Sequence, residues 1–184
     1  GAGWYRREVT IPAEWGGLVP YLNFEAVDWH ARVWINGELA AEHENGYLPF
    51  SIDLSQYATA GETITITVRA FDIAEASTLV GKQVPFWYTH SSGIWQTVWL
   101  EGRTPSHITG VQISPDVAGQ KAVAAISVHA QKSDHAVLRI ISKDSGFETV
   151  AEEIELASGT SHHALTVDIP DVKLWSPENP ALYE

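Results

Sequence analysis

The 184-residue chain contains no cysteine and no methionine. The first absence removes a disulfide framework and any thiolate metal site, and it leaves the redox compartment open. The second extends to position 1, so the chain is expected to begin inside a longer gene product. Cationic residues are scarce, 11 against 23 aspartates and glutamates, for a formal net charge of -12. Such a field repels nucleic acid and anionic membrane, and no Lys/Arg cluster in the sequence breaks it, so neither class of partner is expected. Long hydrophobic runs are missing as well: none approaches the roughly 20 residues of a membrane span, and no charged-then-apolar segment opens the chain. A soluble protein is expected, with its localisation unspecified.

Recognisable catalytic and ligand motifs are equally sparse. There is no G-x-S-x-G elbow, no P-loop and no G-x-G-x-x-G. The eight histidines show no metal spacing, and the adjacent His162 and His163 would point to opposite faces of a strand. Glu42, Glu44 and Asn45 could ligate calcium but read better as a solvated acidic loop. Ser91, Ser92 and Gly93 beside His90 do not make a triad by nearness alone. The carboxylates scatter over strand edges and loops, with no pair converging as glycoside hydrolysis requires. The expectation is therefore no catalytic residue, no metal and no cofactor within this chain.

What is present is β-structure. Ala31 to Ile35 is rich in apolar, β-favouring residues, and Asn36-Gly37 has the composition of a two-residue type I′ turn. Ile35 should then face Glu38 and Trp34 should face Leu39, with the return strand reaching His43. Asn45-Gly46 marks another reversal before a short strand, Pro49 to Leu54, giving three closely spaced antiparallel strands. Further strands are expected at Trp4 to Ile11, Leu18 to Phe24 and Glu62 to Phe71. In the last, Ile64, Ile66, Val68 and Ala70 alternate with Thr63, Thr65, Thr67 and Arg69. Gly93 to Glu101 reads as one strand with Ile94, Val98 and Leu100 on one side and Trp95, Thr97 and Trp99 on the other. Apolar bulk on both sides calls for a covering neighbour as well as a core.

Aromatic usage divides the chain: of 19 aromatic residues, 16 precede Pro105 and 3 follow it. Gly102 to Pro105 is the expected boundary, giving domains 1–104 and 105–184. After it, short strands recur near His107 to Ile113, Lys121 to Ala130, Ala136 to Ser142, Phe147 to Leu156 and His163 to Ile169. Leu182 to Glu184 reads as a strand barely begun. An immunoglobulin-like sandwich needs about seven strands; five and a stub are visible, so that domain is expected to be incomplete and either less stable than the first or rescued by dimerisation.

Between Asp72 and Ser92 periodicity fails, yet the segment carries Lys82, Gln83, Pro85, Phe86, Trp87, Tyr88 and His90. A loop this long in a compact domain is usually functional or disordered, and its aromatic content argues against disorder. Aromatic faces beside amide, lysine and histidine donors suit a sugar. Packing is the alternative reading, and the stronger one for Trp95 and Trp99.

The run from Tyr21 to Tyr57, YLNFEAVDWHARVWINGELAAEHENGYLPFSIDLSQY, the later SSGIWQTVWLE, and the closing LWSPENPALYE together resemble glycoside hydrolase family 2. That group contains β-galactosidases, β-glucuronidases and β-mannosidases. The resemblance covers almost the whole chain and implies an all-β fold: a jelly-roll sugar-binding-type domain at 1–104, then an immunoglobulin-like β-sandwich at 105–184. It also implies a parent that is a retaining β-glycosidase whose (β/α)8 barrel, with the catalytic glutamates, is absent here. Family members set an asparagine before the acid/base glutamate, and this chain has no Asn-Glu pair. They also place an aspartate six residues before the glycine of the G-I motif; counting back from Gly93 gives Trp87. Lys82, Gln83, Trp87 and His90 are the expected substitutes for that sugar contact. The partners implied are a carbohydrate substrate and the missing barrel, with homo-oligomerisation open. The competing reading is an autonomous carbohydrate-binding module with an adhesive immunoglobulin-like domain, and a purely structural interaction protein is the third.

Overall fold

The structure is a computed structural model that describes residues 1–73, 91–143 and 147–184. The chain forms two compact units, Gly1–Thr104 and Pro105–Glu184. Both are all-β, a jelly-roll sandwich followed by an immunoglobulin-like one.

The first unit holds β1 (Ala2–Thr10), β2 (Val19–Phe24), β3 (Val27–Asp28), β4 (His30–Ile35), β5 (Glu38–Glu44), β6 (Phe50–Asp53), β7 (Thr63–Phe71), β8 (Gly93–Ile94) and β9 (Val98–Arg103). One sheet runs β1-β7-β4-β5, a second runs β6-β2-β9, and β3 pairs with β8. The two-residue periodicity of β7 does what it promises: Ile64, Ile66, Val68 and Ala70 are buried while the threonines and Arg69 stand on the other face. Opposite them, Leu22, Phe24 and Ile52 close the core. A stacked series ties the sheets together, with His43 on Phe50 (4.4 Å between centroids) and Phe50 on Phe24 (4.7 Å).

The hairpin turn forms as its residues dictate, with φ of 53° at Asn36 and 89° at Gly37, and Ile35 faces Glu38 while Trp34 faces Leu39. Two features differ from the sequence reading. The register shifts after Trp34, so Val33 faces Ala41 and Ala40 is the extra residue of a bulge. A regular hairpin would have put Glu42 opposite Ala31, on the core face; the bulge turns it outward opposite Arg32. Furthermore, β6 does not continue the hairpin sheet but crosses to the second one. Turn chemistry is local and visible in sequence, whereas a sheet switch depends on which distant strand offers a free edge.

The single strand expected at 93–101 is two, β8 and β9, broken at Trp95–Thr97. On β9, Leu100 lies beside Leu22 on the core face, and Trp99 lies beside Asn23 on the outer face.

The second unit holds β10 (Ser106–Asp116), β11 (Lys121–Ala130), β12 (Asp134–Ile140), β13 (Val150–Leu156) and β14 (Gly159–Asp168). A β10-β11-β14 sheet packs with a β12-β13 pair around Ala124, Ile126, Val128, Leu138, Ile154, Leu156 and Leu165. Residues 182–184 form no strand. Val111 and Ile113 share a face with Ile126 and Ala124, yet they are 56% and 67% exposed. The core face of this sheet is thus uncovered along β10 among the described residues.

Candidate functional site

The four residues expected to touch sugar, Lys82, Gln83, Trp87 and His90, lie outside the described residues, as does the rest of 74–90. What the structure describes is the frame from which that segment departs and to which it returns.

Departure is from β7, paired on both sides within its sheet, and ends at Asp72, whose side chain is buried. Return is at Ser92, whose hydroxyl donates to the Asp72 carboxylate. The two ends of the segment are therefore joined by a charge-assisted hydrogen bond in a partly buried setting, stronger than a neutral one. Immediately afterwards Gly93 and Ile94 pair with Asp28 and Val27, and the Ile94 N–H points to the Tyr5 hydroxyl at 3.4 Å. Gly93 has φ of 86°, a left-handed conformation that glycine alone adopts without strain.

Beside this root stands the reversal at Asn45–Leu48. The Asn45 side-chain oxygen accepts from the Tyr47 and Leu48 N–H groups at 2.8 and 3.1 Å, an Asx-type arrangement that fixes the turn. The Gly46 carbonyl accepts from Trp95 Nε1 at 2.7 Å, and the Trp95 and Tyr47 rings meet edge to face at 5.9 Å. Tyr47, Leu48 and Trp95 all remain substantially exposed. An oriented aromatic corner next to the root of the 74–90 segment is the described part of the candidate site. The sequence reading assigned Trp95 to packing and passed over Tyr47, because their meeting requires β8 to be brought to the 45–48 turn.

Several described carboxylates in this unit are engaged by donors, Asp53, Glu62 and Asp72 among them. Glu42 accepts from Arg32 Nε at 2.9 Å and lies 2.6 Å from His30 Nε2; the Arg32 hydrogen bond first, then that of His30, holds its carboxyl below the usual range. The Asn45 side-chain oxygen is spent on the turn. The Ser92 hydroxyl is directed to Asp72.

On the outer face of β6-β2-β9, buried Asn23 accepts from Ser51 at 2.7 Å and from Arg103 at 2.9 Å. Arg103 also bonds Glu101 and lies over the Tyr21 ring, 4.2 Å from its centroid. Burial, then the negative charge of Asp53, pushes the Tyr21 phenol up, with Arg103 opposing. This network joins β2, β6 and β9 through Asn23, Ser51 and Arg103. A cleft of about 480 Å³ opens between β1 and β9, lined by Tyr5, Arg7, Val9, Phe24 and Leu100 among others; its walls are mainly apolar, unlike a sugar site.

Comparison with known proteins matches residues 1–104 to the sugar binding domain of glycosyl hydrolases family 2 and residues 106–184 to a second domain described under the same family. A beta-galactosidase of Thermoanaerobacter pseudethanolicus is 26% identical over 98% of this chain, which covers 25% of that protein. A beta-glucuronidase of Paenibacillus borealis is 24% identical over 98% of the chain, covering 32% of it. Among solved structures, a beta-glucuronidase of Bacteroides uniformis superposes with a TM-score of 0.79 at 26% identity, over 100% of this chain and 23% of that one. A glycosyl hydrolase family 2 member from Bacteroides cellulosilyticus gives 0.80 at 25% identity, over 100% of this chain and 26% of the other. Across such curated relatives the chain spans 17% to 32% of their length.

Proposed function

Because the chain belongs to glycosyl hydrolases family 2, we propose that it is the non-catalytic N-terminal part of a retaining β-glycosidase acting on O-glycosyl bonds. In this reading it supports a catalytic barrel and lends the 74–90 segment to the substrate site. The observation that carries it is a pairing of two facts: the two family domains account for the chain from end to end, and together they make up less than a third of each such relative. The reacting carboxylates belong to the remainder. Relatives named as β-glucuronidase and β-galactosidase support a β-glycoside as substrate.

Three local features agree with this role. The Asp72–Ser92 bond joins the two ends of the segment that carries Lys82, Gln83, Trp87 and His90. Tyr47 and Trp95 add an aromatic edge beside that base. The uncovered row on β10 is what additional sandwich strands would cover.

The test has two arms. The 184-residue chain should not hydrolyse chromogenic β-glucuronides or β-galactosides, and turnover by the pure chain would refute the assignment. In the full-length parent, Trp87→Ala and Gln83→Ala should raise KM or lower kcat; unchanged kinetics would remove the segment from the substrate site.

A further inference from the structure

β1 is a long and regular sheet edge. It stands at the end of the order β1-β7-β4-β5 and is bonded along one side only among the described residues. Its ladder with β7 runs from Ala2 to Thr10 without a register shift, and the strand holds no proline. Every residue of it except Val9 is exposed. Sheet edges are commonly blunted by bulges, prolines or shortness, and none of these is found here. The unpaired N–H and C=O groups of such an edge are a template for another strand.

The sandwich is also open beside this edge. The cleft of about 480 Å³ between β1 and β9 is lined by Leu22, Phe24, Ile66 and Val68, all of them members of the core. Tyr5, Arg7 and Val9 share the face of Val68, Ile66 and Ile64 and line the same cleft. A strand laid beside β1 with apolar side chains at alternate positions would cover the opening. The other face of β1 carries Trp4, Arg6 and Glu8. Trp4 stacks on Trp34 with centroids 5.5 Å apart. Arg6 meets Glu8 only at 3.9 Å, with side chains 71% and 69% exposed, a contact of little strength in water that leaves both charges available.

We propose that β1 pairs antiparallel with β1 of a second copy of the chain, about a two-fold axis at Arg7, doubling the four-stranded sheet. Residues directly opposite in a sheet share a face, so a two-fold axis between identical strands must fall on a residue. On Arg6 it would oppose Arg6 to itself and Trp4 to glutamate; on Glu8 it would oppose Glu8 to itself. Arg7 is the one centre in β1 that opposes unlike charges. With the axis there, Arg6 faces the partner's Glu8 and Glu8 faces the partner's Arg6, each pair occurring twice by symmetry. On the cleft face, Tyr5 meets the partner's Val9 and Val9 meets the partner's Tyr5. The register that matches the charges thus also brings apolar side chains to the opening. Trp4 faces the partner's Thr10. The single like-charge meeting is Arg7 on the axis, and its long, exposed side chain is free to part into water. The pairing uses no residue of the 74–90 segment and is read by assembly state rather than turnover, so it can fail while the function proposed above stands, and the reverse.

Sedimentation velocity of the 184-residue chain across the micromolar range tests it. A reversible monomer–dimer equilibrium is expected, weakening as salt is raised. Arg6→Glu should raise the dimer Kd about tenfold, because symmetry turns two attractive pairs into two repulsive ones, and Glu8→Arg should do the same. The exchanged variant, Arg6→Glu with Glu8→Arg, should restore association. These positions lie on a solvated face, and an unchanged far-UV circular dichroism spectrum verifies the fold; if a single variant unfolds, Arg6→Gln and Glu8→Gln replace them, each expected to weaken the dimer. A monomer at every concentration overturns the proposal and leaves the edge to a strand of another kind. A dimer indifferent to these substitutions, or one that the exchange does not restore, also overturns it. So does a dimer lost in Ile113→Lys, which would place the contact on β10.

Discussion

The hydroxyl of Tyr5 fills the space in which a side chain at Gly93 would have to stand: a Cβ there would lie 2.2 Å from the phenol oxygen. Backbone conformation and contact both bar a substituent. Gly93→Ala is expected to destabilise the first unit by about 2–4 kcal/mol, read by urea unfolding followed through tryptophan fluorescence. Tyr5→Phe in the same chain removes the oxygen but not the φ strain, so it should restore part of the loss and no more.

Ser92→Ala leaves the buried Asp72 carboxylate without the hydroxyl that donates to it. The expected cost is about 1–2 kcal/mol, concentrated at the root of the 74–90 segment. Amide exchange should quicken at Gly93 and Ile94 and stay unchanged at the centre of β4. A uniform change across both sites would show that the bond does not act locally.

The Tyr21 phenol should titrate above the ordinary tyrosine range, followed by difference absorbance against Tyr21→Phe. The folded state holds that proton more tightly than the unfolded one. The linked stability is therefore fully present below the ordinary phenol pKa and is lost as pH rises through the folded value. Arg103 opposes the upward shift, so Arg103→Leu should move the midpoint higher still. A lower midpoint in that variant would contradict the assignment.

The second unit should open before the first. Its core cluster has 8 buried residues, two of them alanine and none aromatic, against 14 with Phe24 in the first, and β10 leaves Val111 and Ile113 exposed. At about 25 cal/mol per Å² of apolar area removed from water, the smaller core gains less on folding. Hydrogen exchange on the 184-residue chain should show weaker protection in β11 and β14 than in β4 and β7, and equal protection would refute it.

Much of the sandwich was legible in the sequence because a half-buried strand writes its two faces into alternate residues, as Thr63 to Phe71 does. The Asn36-Gly37 turn was legible for the same reason: its conformation is decided by the residues that make it. Pairing between distant strands left no such mark. Asp72 with Ser92, Tyr47 with Trp95, and Trp4 with Trp34 each depend on elements far apart in the chain meeting in one register. The break at Trp95–Thr97 was hidden by continuous apolar character, which a single strand and two short ones share. For Lys82, Gln83, Trp87 and His90, composition supplies the expectation and the frame at Asp72 and Ser92 supplies only its anchorage.

The extra residue at Ala40 bears on which length changes the hairpin can absorb. Since Trp34 already faces Leu39 and Val33 already faces Ala41, excising Ala40 would leave every partner where it is and yield a flush ladder. Removing Val33 instead would flip neighbouring side chains through the sheet. Natural variation in this hairpin therefore has a tolerated site for loss of one residue, and it lies three positions beyond the turn rather than within it.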